Sequence, residues 1–337
     1  MHSDALRRGD LVEVMGPAEI LATLDERGSL EGLPFMAEMA PYCGRRFVVA
    51  GRAERICDTI QYSGSMNLPD TVLLDDLRCD GCAHGGCQAE CRFFWKEAWV
   101  KKVSADAPPP APFLRRDVDA LLQRAARGAM PPVPADGAAA ARWRCQATEL
   151  PRASKHVRVL DARSYVKEYT TGNVSLGRFL RVTARAAVQE PMRKLGLVPD
   201  IPLPGSRTGP GLDPPLGLQP GDLVEVKSKE EIALTLNAGG KHRGLWFDRE
   251  MIPLCGRTFR VRRRVQRIID ERDGRMIEMK NDCVTLEGAV CSGERSLMRW
   301  FCPRAIFPYW RECWLRRAEP ATASVSPPAR GLEAAGP

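Results

Sequence analysis

Histidine is scarce in this chain, with 4 among 337 residues, and the motifs that announce common enzymes are missing with it. No Walker loop, dinucleotide-binding glycine motif, Gly-x-Ser-x-Gly elbow or His-Glu-x-x-His helix occurs in the sequence. Catalysis therefore has few residues to rest on, and the chain reads as a binding protein rather than an enzyme. Long apolar runs are lacking as well. None approaches the ~20 residues that span a bilayer, and the start from Met1 to Arg8 carries no apolar secretory stretch. The expected compartment is the cytoplasm, where thiols are held reduced and clustered cysteines serve metals or redox chemistry more often than disulfides.

What the chain has in quantity is cysteine, 12 residues of it, and a second copy of one module. Residues 9–81 align without a gap on residues 221–293, from Gly9-Asp10-Leu11-Val12-Glu13-Val14 against Gly221-Asp222-Leu223-Val224-Glu225-Val226 to Cys79 against Cys291. About half of the first fifty or so positions are identical, which marks an internal duplication. After a three-residue insertion in the second copy the match resumes, with Cys87, Trp95, Glu97 and Trp99 opposite Cys302, Trp310, Glu312 and Trp314. Charge is uneven: residues 7–103 hold 12 Lys+Arg against 15 Asp+Glu, residues 104–216 hold 17 against 10, and residues 217–318 hold 20 against 14. A cation is electrostatically welcome in the first copy, and a polyanion would have to meet the middle or the second.

Each copy opens with the alternation of a half-buried strand, continues with a short helix at 19–24 or 231–236, and then adds strand-like runs at 43–49, 71–74 and their equivalents. A last aromatic strand holds Trp95 and Trp99, or Trp310 and Trp314, at period two, with core packing as their default role. The opening Gly-Asp-x-Val-x-Val, the early long loop and the terminal aromatic strand resemble an SH3-like barrel of the kind found in KOW-type modules. The resemblance implies a mainly β fold with a helical middle region, as two tandem SH3-like small β-barrels; such modules bind RNA, dock proteins or serve as subunit accessories. The expected organisation is 7–103 as repeat one, 104–140 as a Pro/Ala linker with a short helix, 141–197 as a helical region, 198–216 as a Pro/Gly linker, 217–318 as repeat two and 319–337 as a disordered tail.

The one specific chemical signal is Cys79-x2-Cys82-x4-Cys87-x3-Cys91, four thiols within thirteen residues that include three glycines. Four thiolates suit the closed tetrahedral site of structural zinc. The spacing resembles a zinc knuckle, with Cys87 in place of the histidine, Gly86 before it and the last interval one residue shorter. An iron–sulfur cubane uses four cysteines too, and stays open as the alternative, together with reactive thiols. His84 reads as a loop residue or a donor beside the ligands. The second copy has Glu294 opposite Cys82 and Ile306 opposite Cys91, so Cys283, Cys291, Cys302 and Cys313 make at most a degenerate second site. Cys145 stands alone on an expected helix.

One further feature belongs to copy two alone: Arg260, Arg262 and Arg264 fall on one face of a strand, where three guanidinium groups can track phosphates. Together these features point to a zinc-binding, non-enzymatic adaptor or accessory protein whose partner is a protein, or a nucleic acid through repeat two. A redox protein with an iron–sulfur centre or reactive thiols is the second reading.

Overall fold

The computed structural model describes residues 5–129, 142–159, 161–209 and 214–319. The proline cluster at 131–134, residues 210–213 of the second linker and the tail from 320 lie outside the described residues. In repeat one the Leu11–Val14 strand buries Val12 and Val14, as its alternation dictates. Helix α1 (Pro17–Thr23) follows, with proline at its first position and the Glu19 carboxylate accepting from the Gly16 N–H at 2.8 Å. The sheet then runs Trp95–Lys96, Thr71–Leu74, Arg46–Arg52, Leu11–Val14, Val100–Lys102 from edge to edge, with every pairing antiparallel.

Repeat two has the same order, Trp310–Arg311, Cys283–Leu286, Thr258–Arg264, Leu223–Val226, Leu315–Arg317. In both copies the expected last strand is broken by a 3-10 turn, Glu97–Trp99 and Glu312–Trp314, which carries the chain from one sheet edge to the other. Both tryptophans of each pair are fully buried. Phe35 meets Trp99 edge-on at 5.3 Å and Phe247 meets Trp314 at 5.3 Å, while the two indole Nε1 groups donate to Thr23 and Thr235 at 3.0 Å. Such rings are core, so a base-stacking platform is excluded at these positions. Among the described residues the strand pairings do not close either sheet into a ring.

The middle of the chain is helical as expected, but over the described residues helix weighs as much as strand, so the fold is mixed α/β rather than mainly β. Helix α2 (Arg115–Ala129) is fifteen residues long and docks on repeat one through Leu121 and Ala125. It lies so close that a Cβ on Gly128 would stand 2.2 Å from the Arg27 carbonyl oxygen. Helix α3 (Gln146–Ala153) seals the same core, with the Gln146 amide accepting from Phe94 N–H at 2.9 Å and donating to Phe94 O and Pro34 O. Helices α4 (Ala162–Thr170), capped by Asp161, and α5 (Leu176–Lys194) build a third cluster with Trp300 and Phe301 of repeat two. Repeat two supplies the short helix α6 (Lys229–Ala233), opened by a Ser228/Glu231 capping box.

One buried arginine ties the three parts together. Arg55 of repeat one bonds Ser65 within its own repeat, Ser164 and Tyr165 of α4, and the Trp300 carbonyl of repeat two, with its guanidinium 4.1 Å from the Tyr165 ring centre. The repeats are thus interlocked rather than strung on linkers. No helix among the described residues is long and apolar enough to cross a membrane.

Candidate metal centre

The Cys79–Cys91 loop leaves and rejoins repeat one through a short two-rung stem, Cys79 N–H to Cys91 O at 2.9 Å and Phe93 N–H to Leu77 O at 3.0 Å. Inside it Gly81 has φ +74°, and a Cβ there would lie 2.0 Å from the Cys87 carbonyl oxygen. Only glycine permits that turn. The hairpin Arg267–Ile269/Met276–Glu278 of repeat two closes over the loop from outside. Gln88 N–H donates to Arg267 O at 3.0 Å, its side-chain carbonyl accepts from Gln266 and Arg267, and Ile269 N–H donates to Cys87 Sγ at 3.3 Å.

Three of the four expected ligands line one cavity of about 40 Å3: Cys79, Cys87 and Cys91. The fourth, Cys82, is exposed and does not line it, because Asp80 Oδ1 accepts from the Cys82 N–H at 3.0 Å and turns that residue outward. Its place in the cavity is taken by Cys145, which the sequence offered only as an isolated cysteine. Cys145 is the N-cap residue of α3, so its sulfur sits at the positive end of that helix. Burial pushes the Cys145 thiol up to about 11 and raises Cys79, Cys87 and Cys91 as well. Ionising them in this setting requires a cation, so loading the site would release protons.

A second residue that the sequence reading passed over is Glu38, buried at the edge of this loop. Its Oε1 accepts from Ala83 N–H at 3.0 Å and from His84 Nδ1 at 2.7 Å, and lies 3.8 Å from Cys79 Sγ. Burial works to raise the Glu38 carboxyl, but the bonds from His84 and the loop hold it below the usual carboxylate range. Among the described residues two groups place three ligand atoms within 4.8 Å of one another, Glu38/Cys79/His84 and Glu38/Asp80/Cys82. Glu38 Oε2 and His84 Nε2 are both buried without a hydrogen-bond partner, and His84 also lines the cavity.

The duplication supplies its own control. Glu250 is the equivalent of Glu38, and its carboxylate is saturated, accepting from Ser292 N–H and Oγ and from Arg295 and Ser296 N–H at 2.6–3.1 Å. Arg295 and Ser296 stand where Ala83 and His84 stand in copy one. Gly293 repeats the left-handed turn of Gly81 at φ +66°, and Cys291 N–H bonds Ile306 O as Cys79 bonds Cys91. The same loop is therefore closed on itself in copy two and left with unpartnered polar atoms in copy one. The signal in the sequence was that glutamate is kept at the equivalent positions Glu38 and Glu250.

No protein-family model, curated protein or solved structure matches this chain. Its own geometry has to carry the functional reading.

The degenerate second site is not assembled as expected. Cys291 and Cys302 come together, but with Cys57 of repeat one, whose N–H donates to Cys302 Sγ at 3.2 Å. The Cys302 thiol and Arg304, whose guanidinium lies 3.8 Å from Cys57 Sγ, hold the Cys57 thiol below its ordinary range. Cys283 is buried in its strand, Cys313 packs on the core of repeat two, and neither lines the cavity shared by the other three. The arginine stripe is broken up as well. Arg262 is bound by Glu90 of repeat one at 2.8 Å and Arg264 by Glu312 at 2.8 Å and by Asp282, while Arg260 extends beside Gly221 O. A register shift between Val261 and Arg263 ends the strict alternation on which the stripe depended.

Proposed function

We propose that this protein is a metal–thiolate accessory protein, without catalytic chemistry of its own, whose centre fastens repeat one, repeat two and α3 into one rigid adaptor for a protein partner. The observation that carries the reading is the convergence of Cys79, Cys87, Cys91 and Cys145 on one cavity walled by Phe93, Phe94 and Ile269. Four soft donors in an apolar enclosure suit zinc or an iron–sulfur core and offer little to hard cations. The strand order, with its 3-10 turn before the last strand, supports reading each repeat as an SH3-like module of the KOW type.

A protein partner is favoured over nucleic acid because two of the three stripe arginines, Arg262 and Arg264, are engaged by carboxylates and the tryptophans are buried. Helix α5 keeps Val182 and Ala186 inward yet leaves Leu176, Leu180, Val188 and Met192 exposed, an apolar stripe flanked by arginines. Metal analysis of anaerobically purified full-length protein tests the proposal. One metal centre per chain is expected, lost in the Cys79→Ser/Cys91→Ser double variant; metal-free protein that resists reconstitution would refute it. RNA or DNA binding with a steep salt dependence would overturn the choice of partner.

A further inference from the structure

We infer that the cavity takes a four-iron, four-sulfide cubane cluster bound by Cys79, Cys87, Cys91 and Cys145, an inference that rests on the metal–thiolate reading above. The spacing of the four sulfurs bears on whether they share one ion. Zinc–sulfur bonds of about 2.3 Å place four tetrahedral sulfurs about 3.8 Å apart. No three of these four sulfurs lie within 4.8 Å of one another, since the two groups that meet this limit each contain at most one cysteine. One ion could therefore touch them all only after the cavity had collapsed. A cubane holds its four thiolates on four different irons and needs them spread around a core.

The walls between the sulfurs suit such a core, although the cavity is small, about 40 Å3, and would have to part as the cluster forms. Its walls are Met36, Ala89, Phe93, Phe94, Ala147 and Ile269, which offer water almost no partners but suit a polarisable sulfide core. Glu90, Arg92 and Gln146 also border the cavity, and three further polar groups bear on the sulfurs. Ile269 N–H already points at Cys87 Sγ, an amide–sulfur bond of the kind that tunes clusters. Arg304, a buried cation already paired with Glu271 at 3.0 Å, borders the cavity, and His84 brings its unpartnered Nε2. Three ligands come from one loop and the fourth from a segment more than fifty residues away, so the centre is enclosed from two sides and complete only when α3 is docked.

Two substitutions separate this ligand set from the sequence motif. Full-length wild-type, Cys82→Ser and Cys145→Ser proteins would be reconstituted anaerobically with ferric chloride, sulfide and dithiothreitol, and iron, zinc and acid-labile sulfide measured per chain. Wild type and Cys82→Ser should each hold four iron and four sulfide with a broad visible absorption; Cys145→Ser should hold less than a quarter of that. Far-ultraviolet circular dichroism of the metal-free variants checks that α3 and the sheets remain folded. Should Cys145→Ser unfold, Cys145→Ala and iron-edge absorption spectra of the wild type, which count sulfur ligands directly, decide instead. Colourless protein with one zinc per chain would overturn the cluster while leaving the metal–thiolate reading in place. Full iron in Cys145→Ser with loss in Cys82→Ser would overturn the ligand assignment, and absence of every metal from the wild type would overturn both readings.

Discussion

The same substitution at two equivalent glutamates should have unequal effects in metal-free protein. In Glu250→Gln, one end of the new amide must present an NH2 group where the carboxylate accepted two donors, because both oxygens are engaged at 2.6–3.1 Å. Bonds to a charged acceptor are worth about 1.5–3 kcal/mol each. Ser292 Oγ can rotate and accept from the amide, so the loss should fall at about 2–4 kcal/mol rather than the sum of two full bonds. In Glu38→Gln the NH2 can occupy the position of Oε2, which has no partner, while the amide oxygen keeps Ala83 N–H and His84. The cost there should be about 1 kcal/mol, from the lost charge on those bonds. Amide exchange of the two loops reads the difference locally. Since 1.4 kcal/mol is about tenfold in an equilibrium, residues 292–296 should lose protection by roughly thirtyfold or more and residues 80–84 by about fivefold. Equal losses in the two loops would show that copy one is as self-contained as copy two and that its unpartnered polar atoms carry no meaning.

Burial pushes the Glu168 carboxyl up to about 8, although Asn173 donates to it at 2.8 Å. The folded state therefore binds a proton that the unfolded state has released, so the contribution of this residue is full below the ordinary glutamate range and is lost as pH rises to about 8. Glu168→Gln should flatten the fall in stability between pH 5 and 9, measured by urea unfolding; an unchanged slope would contradict the burial argument. Gly81→Ala places a Cβ 2.0 Å from the Cys87 carbonyl oxygen at a left-handed position, and should abolish metal retention, whereas Gly256→Ala, with open space around it, should cost only about 1 kcal/mol and keep the metal. Replacing Arg262 and Arg264 with Gln should lower the unfolding midpoint in urea and leave affinity for single-stranded RNA unchanged, because both side chains act inside the fold.

The strands of both repeats were legible because a half-buried strand writes its alternation into four or five consecutive residues, and the duplication wrote it twice. Local spacing was less informative about the site. Cys79, Cys87 and Cys91 converge as their spacing allows, but the direction of Cys82 depends on the Asp80 bond to its N–H, and nothing in the interval between two cysteines encodes that. Cys145 and Glu38 reach the loop only through tertiary packing, of α3 on Phe94 and of the segment after Phe35 on repeat one. Arg262 failed for the same reason, since its partner Glu90 lies 172 residues away. The residues 104–129, rich in proline and alanine at their start, looked like linker because composition does not show that Leu121 and Ala125 find a hydrophobic surface.

Differential alkylation of the loaded and metal-stripped protein tests the central claim most directly, with each of the twelve cysteines quantified by mass spectrometry. In loaded protein Cys82 should react at once while Cys79, Cys87, Cys91 and Cys145 are protected; stripping the metal should release those four together and leave the rate of Cys283 unchanged. Protection of Cys82 with early reaction of Cys145, or four rates that do not respond to metal removal, would contradict the four-thiol centre.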